Sequence, residues 1–311
     1  MADVRASADR APLVFRGRVV AVTPITPSSD PHTRVVSLAT FQVDRWYRGN
    51  VPTEVSLRFA YPNFWSNGHD CIDFQPGGFW LVFAKETRGQ LEMIDDCEGA
   101  LTISPLRGPN LYSSSWSQQM EADFLAGLDD LDPQARLASI QRLGGLKLPA
   151  SRDALNRIIQ SGDELESKWA VYAALRTGDI SILPRVDRLL ARGDANLPES
   201  AIALELQKVA DPGAVTGLIE ILRDSSGEIT RECVLIALGE NLKDRRAVPS
   251  LAAHLSDRDL GSRYNALNGL KNLTAEQSCT LPEGWQEADV PPQVSSCSLW
   301  WDQVGRFRDW N

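Results

Sequence analysis

Histidine, cysteine and methionine are scarce in this chain. There are three histidines (His32, His69 and His254), three methionines and five cysteines in 311 residues. Histidine is the side chain that most readily changes charge near neutral pH and the commonest metal ligand. No Gly-x-Ser-x-Gly, His-Glu-x-x-His, Walker or Gly-x-Gly-x-x-Gly pattern is present, and no Cys-x-x-Cys. His69 beside Asp70 and Cys71 is a lone loop cluster, short of the ligand set of a zinc site. The sequence therefore predicts no catalytic residue, no metal and no cofactor. Long apolar runs are missing too, and nothing approaches the roughly 18–20 residues of a membrane span. The start, Met1 to Ser7, has neither an apolar export core nor a lipidation signal. The expectation is a cytosolic chain or a mature form whose export signal has been removed.

What is present is the composition of a globular protein, 43% hydrophobic and 23% charged. The length suits two domains. The net charge of -9 is unevenly placed. Residues 1–110 hold 11 Lys+Arg against 12 Asp+Glu, and residues 111–311 hold 21 against 29. An acidic C-terminal part repels phosphate backbones and anionic membranes, which argues against nucleic acid as a partner.

That acidic part is periodic. Leu143, Leu175, Leu206, Leu238 and Leu270 recur at 31 or 32 residues. Seven positions before them stand Arg136, Lys168, Glu199, Arg231 and Arg263, with Glu199 breaking a basic pattern. Apolar residues fall at helical spacing in each phrase. Second helices carry Leu155/Ile159, Val186/Leu190, Leu218/Leu222 and Leu251/Leu255. Pro184 and Pro249 suit first helical turns, where no N–H is required. Gly144-Gly145, Gly178 and Gly239 are expected as left-handed caps. A period of this length means stacked helical hairpins. The stretch from Cys233 to Gly239, with Asp244, Pro249, Asp257 and Asp259 beyond it, resembles HEAT repeats of the short bacterial type over residues 132–277. That resemblance implies a protein-binding scaffold with the second helices on its concave face. The histidine–glutamate metal pairs of HEAT-type hydroxylases are absent from the repeats, and the acidic charge opposes the basic groove of base-excision HEAT enzymes.

Residues 14–97 read instead as five antiparallel strands, Val14–Thr26, Ser37–Tyr47, Glu54–Ala60, Gly78–Lys85 and Gln90–Asp96, separated by Gly/Pro/Asn/Asp turns. Five strands in so short a stretch suit a small OB-type barrel. The spaced elements Phe15-Arg16-Gly17, Asp44-Arg45-Trp46-Tyr47-Arg48-Gly49, Cys71, Phe74, Gly77, Trp80 and Cys97 resemble the netrin-like domain of tissue inhibitors of metalloproteinases. The resemblance implies the barrel and a Cys71–Cys97 pairing. It does not carry over inhibition, because the family's zinc-chelating N-terminal cysteine has no counterpart here.

The cysteines then bear on compartment. Cys71 and Cys97 flank the last two strands, and Cys279 and Cys297 bracket a Pro-containing segment with little core of its own. Cys233 lies inside a repeat helix, as a buried free thiol would. Two locally paired sets favour an oxidising compartment. The alternative is four reduced cysteines in a cytoplasmic protein.

The expected fold is multidomain β + α: an N-terminal five-stranded OB-type β-barrel over 1–110, a linker and N-capping helix over 111–131, an α-α superhelix (HEAT solenoid) over 132–277, and an aromatic, disulfide-closed cap over 278–311. Candidate partner-binding residues fall in three groups. Tyr61, Phe64 and Trp65 belong to an aromatic loop of the barrel. Arg157, Arg185, Arg188, Glu220 and Arg223 project from second helices, against the simpler reading of a solvated, salt-bridged face. His254 takes a position held by Ile158, Leu189 and Ile221 in the other repeats, and as a polar group there it needs a hydrogen-bond partner. The function these residues point to is non-catalytic protein–protein scaffolding outside the cytoplasm, with a protein partner. Inhibition of an extracytoplasmic protease is the alternative, and a HEAT-type lyase the more distant one.

Overall fold

The computed structural model describes residues 4–25, 35–50, 52–61, 72–95, 99–111, 114–161, 163–190, 197–225 and 227–310. They fall into two compact units, residues 1–155 and 156–311.

The first unit is built on a closed barrel. Its strands are β1 (Leu13–Pro24), β2 (Val35–Arg48), β3 (Glu54–Tyr61), β4 (Phe79–Thr87), β5 (Gln90–Met93) and the short β6 (Ala100–Thr102). The sheet runs β1-β2-β3-β5-β4-β6, and β1 also pairs with β4, which closes five strands. One pairing departs from the antiparallel expectation, since β3 and β5 run parallel through Leu57↔Leu91 and Arg58↔Glu92. This closure abolishes the free edges of an open sheet. The core is a relay of edge-to-face rings, Phe15 on Phe41, Phe41 on Phe74, and Phe74 on both Phe59 and Trp80. β2 carries two bulges opposite β1. Arg16↔Arg45 is followed by Gly17↔Val43, and Val14↔Arg48 by Phe15↔Trp46, so Asp44 and Tyr47 are extra residues without partners in the ladder. Bulges of this kind re-aim side chains.

An N-terminal helix α1 (Val4–Arg10), not legible in the sequence, belongs to the same unit. Arg48 holds its C-terminal end by donating to the carbonyls of Ala8 (2.7 Å) and Ala11 (3.3 Å). Beyond β6 come α2 (Trp116–Ala126), α3 (Pro133–Leu146) and α4 (Pro149–Ser161), whose residues from Asn156 onward belong to the second unit. α2 starts with a capping box between Ser115 and Gln118. Glu121 of α2 accepts from Ser151 N (2.7 Å) and Oγ (2.6 Å), satisfying the first turn of α4.

The second unit is a solenoid of helical hairpins. First helices α5 (Glu164–Arg176), α7 (Leu197–Gln207), α9 (Glu228–Ile236) and α11 (Leu260–Thr274) pack in that order, each on the next. The second helices between them are α6 (Leu183–Leu190), α8 (Val215–Asp224) and α10 (Val248–Ala253), and α12 (Val290–Gln303) packs on α11. The hairpin turns repeat one device. Asp179, Asp211 and Asp244 each accept the N–H two residues on and start a short 3₁₀ turn that feeds the second helix. Such a cap stabilises by about 1 kcal/mol.

The expected glycine caps are realised only in part. Gly178 is left-handed (φ +80°), but the left-handed ends of α3 and α11 and of the π-type turn that extends α9 (Ala237–Leu242) are Lys147, Ala275 and Lys243. Gly145 and Gly239 are packing residues instead. A Cβ on Gly145 would stand 3.3 Å from Val4, and one on Gly239 only 2.4 Å from the Cα of Gly269. α9 and α11 thus approach backbone to backbone, which only glycine allows.

Candidate functional site

The second helices of the solenoid carry the expected row of charged residues. Arg157 on α4, Arg185 on α6, and Glu220 and Arg223 on α8 are all exposed. α6 packs on α8 and α8 on α10, so the last three stand on neighbouring helices. Behind them Val186, Leu190, Leu218, Ile221 and Leu222 are buried, which fixes the direction of the helices. Arg185 leans on α4 through a long contact to Ile159 O (3.5 Å). Arg223 forms a two-pronged pair with Asp224 (2.9 and 3.0 Å), which thins the expected basic stripe. The side chains of Arg188 and Tyr61, and all of Phe64 and Trp65, lie outside the described residues. Tyr61 is the end of β3, paired with Val35.

His254 is half-buried, and its Nδ1 meets the carbonyl of Ser250 at 2.8 Å, one turn back. Ile221, at the same repeat position, is buried. The imidazole is therefore satisfied by its own helix. Glu199, the break in the basic pattern, has an equally structural reason. Its carboxylate accepts from Lys168 at 3.0 Å, one repeat earlier, and both residues are buried. Burial works against charge on Lys168, and the hydrogen bonds to Glu199 and Glu164 outweigh it, leaving its pKa raised. Arg231 makes the comparable link in the next repeats, to Asp257 at 3.0 Å.

A second set of charged residues was not marked as a site in the sequence, although Arg16, Asp44 and Arg45 fall within its netrin-like elements. Arg16 on β1 is 1% exposed although it faces away from the barrel core, because residues 104–106 cover it. It donates to Asp44 (2.9 Å) and to the carbonyls of Leu106 (3.0 Å), Pro105 (2.9 Å) and Ser104 (3.4 Å). Arg45 donates to Asp123 of α2, to Gly108 O (3.0 Å) and to Asn110 Oδ1 (2.6 Å). Asp123 also accepts from Tyr47 OH (2.6 Å) and Gly108 N (2.8 Å). Burial, with the Asp123 charge and hydrogen bond added, pushes the Tyr47 phenol well above its usual pKa. Two arginines, two aspartates and a phenol thus tie the segment after β6 to the barrel and to α2. The available signal was Asp123 beside the apolar stripe of Met120 and Phe124, and Arg16 within an apolar strand.

One group among the described residues has the composition of a metal site. Glu228, Glu232 and Asp259 each offer an oxygen within 4.8 Å of the others. Burial and the neighbouring Asp259 and Glu228 raise the pKa of Glu232. For Asp259, burial is outweighed by hydrogen bonds from Ser262 and Gly261, and its pKa is lowered. Nothing beyond the carboxylates points to an ion. Cys233 is a buried free thiol whose pKa is raised to about 11, first by burial and then by Glu232, so it is not a reactive nucleophile. Cys279 and Cys297 are joined by a disulfide, and Cys71 and Cys97 lie outside the described residues. No described helix is long and apolar enough to cross a membrane.

No protein-family model matches the chain, and no curated protein does. Among solved structures the chain is similar to the complex of CpcE and CpcF of phycocyanin lyase from Nostoc sp. PCC7120. Sequence identity is 20%, the TM-score is 0.40, and the match covers 57% of this chain and 70% of that one.

Proposed function

We propose that this chain is a non-catalytic protein-binding scaffold, and that its partner docks across the second helices of the solenoid. The observation that carries this reading is the exposed row Arg157, Arg185, Glu220 and Arg223, standing on helices whose opposite faces are anchored in the core by Leu155, Val186, Leu190, Leu218 and Leu222. A surface held this firmly costs little to order on binding. Five buried titratable groups support the same reading, since Lys168, Glu199, Arg16, Arg45 and Asp123 all serve hydrogen bonds that hold the fold.

The finer parts of the proposal rest on the sequence. The barrel's strand order agrees with an OB-type domain, and of the netrin-like motif residues Phe15 and Phe74 lie in its core, with Trp80 packed against it. An extracytoplasmic location is the reading that the Cys279–Cys297 bond favours, and a bacterial source rests on the resemblance of the repeats alone.

The test compares affinity purification by the full chain with that by a triple variant, Arg157→Glu, Arg185→Glu and Arg223→Glu. All three side chains are exposed, so the thermal midpoint is expected to hold. A partner retained by the parent should be lost at least about tenfold in the variant, as charge reversal at several rim positions requires. Equal recovery of the same partner by both would remove the second-helix face from consideration.

A further inference from the structure

The first unit holds a cleft of about 510 Å³ between the bulged end of β2 and the N-terminus of α2. Its lining includes Asp44, Trp46, Thr53, Arg107, Asn110 and Trp116. Trp46 is 54% exposed, an unusual position for so large an apolar ring. The walls are tied by hydrogen bonds. Gln119 accepts from Leu111 N (2.7 Å) and donates to Pro109 O (2.9 Å), and Arg107 donates to Asp44 O (3.1 Å). Two lining residues, Arg45 and Tyr47, belong to the buried network with Arg16 and Asp123, so the polar groups at the cleft are held before any ligand arrives.

The groups offered are of particular kinds. The Asp44 carboxylate binds Arg16 through Oδ1 and is still 30% exposed, so it can accept from a ligand. Asn110 uses its carbonyl on Arg45, which leaves its NH₂ to donate. Arg107 is exposed, as are Thr53 and Asn110. Aromatic faces combined with paired donors and acceptors suit a molecule that is apolar on one face and hydroxylated at its rim. One exposed guanidinium opposite one carboxylate makes no track for a phosphate backbone. An added peptide strand would need a regular backbone edge, and the bulges at Asp44 and Tyr47 break it. A purely apolar ligand would leave Asp44, Arg107 and Asn110 of the lining without partners.

We propose that this cleft binds a neutral oligosaccharide, with one sugar ring stacked on Trp46 and its hydroxyls held by Asp44, Arg107 and Asn110. The site is independent of the solenoid face and of the partner proposed for it.

The test begins with the full chain on an array of neutral and sulfated glycans, with oligo-deoxythymidine as a further probe. The strongest neutral glycan is then titrated calorimetrically, or cellotetraose if none stands out. A dissociation constant between about 10 µM and 1 mM is expected, the range of a site with few stacking contacts. Trp46→Ala should weaken binding at least about tenfold, as loss of a stacking platform does. Trp46→Phe should keep most of it, and Arg107→Ala should fall between them. Unchanged thermal midpoints would show that each variant folds. Three results would overturn the proposal: no neutral glycan bound at millimolar concentration, affinity unchanged in Trp46→Ala, or binding confined to sulfated glycans or oligo-deoxythymidine.

Discussion

The two units of this protein are held together over different distances along the chain. In the first, Arg16 reaches Leu106 across 90 residues and Arg45 reaches Asp123 across 78. In the second, Lys168 reaches Glu199 across 31, Arg231 reaches Asp257 across 26, and Asn241 reaches Gln207 across 34. The solenoid is stabilised by terms between neighbours, and the barrel unit by a few side chains that join parts remote in sequence. Damage in a repeat array stays near its repeat. Damage to a shared buried network spreads to everything that the network joins.

The largest expected effect is therefore at Asp123. Asp123→Ala leaves Arg45 buried without its counter-charge and removes the acceptor of Tyr47 and Gly108 N. A loss of about 3–5 kcal/mol is expected, as for other broken buried pairs. Hydrogen–deuterium exchange should rise together in β1, in β2, in residues 104–110 and in α2, with α7 to α11 unchanged. Faster exchange confined to α2 would show that the network does not couple these parts.

The same probe applied to the solenoid should give the opposite pattern. Gly239→Ala places a methyl 2.4 Å from Gly269 Cα, so α9 and α11 must separate. A loss of about 2–3 kcal/mol follows from overpacking a backbone contact. Exchange should rise in α9, α10 and α11 and little in α5. Loss of protection throughout the second unit would mean that the repeats melt as one body.

This difference in reach also governs what the sequence made legible. The five repeat leucines are buried as expected, because a 32-residue period constrains local helices that meet the next copy of themselves. The strands were legible to within a few residues because alternation is local. β6 and α1 were not, since a three-residue strand and a seven-residue helix hold their shape only through packing. Glu199 stood out as a break in pattern, but its meaning, a buried partner for Lys168, needed the stacking of α5 on α7. The Arg16–Arg45–Asp123 network was hidden for a stronger reason: three charged residues at unrelated positions carry no periodic signal. The cleft beside it depends on two bulges, which arise from register and not from composition.

A smaller effect tests whether solenoid contributions are local and additive. Ala275 ends α11 in the left-handed region (φ +55°), is exposed, and donates its N–H to Lys271 O (2.9 Å). A Cβ is strained there, and glycine is not. Ala275→Gly should stabilise by about 0.5–1 kcal/mol after the extra freedom it gives the unfolded chain. The gain should add to that of a remote stabilising change in chemical denaturation. A net loss would mean that the unfolded-state entropy outweighs the strain.

The smallest effect concerns the carboxylates between α9 and α11. Burial, Asp259 and Glu228 raise the pKa of Glu232 above its ordinary value of 4.5. Between 4.5 and the raised value, the folded chain holds a proton that the unfolded chain has released. Stability from this group is thus complete below that window and declines as pH rises through it, so at pH 7 the ionised Glu232 is a small liability. The side chain lies against Gly261, where a Cβ would meet Glu232 Oε1 at 1.8 Å, so the replacement has to keep its shape. Glu232→Gln does so and removes the charge. At pH 7 the variant should exceed the parent by a few tenths of a kcal/mol, a gain limited by solvent screening at this partly exposed site. The two should converge as pH falls to 4.5 and below. Higher stability of the parent at pH 7 would mean that Arg231 and the helix N-termini hold the Glu232 charge more strongly than Asp259 and Glu228 oppose it. In either case the change should register in α9 and α11 and leave the barrel unit's exchange as it was, because the groups that act on Glu232, namely Asp259, Glu228 and Arg231, lie on or at the start of those two helices.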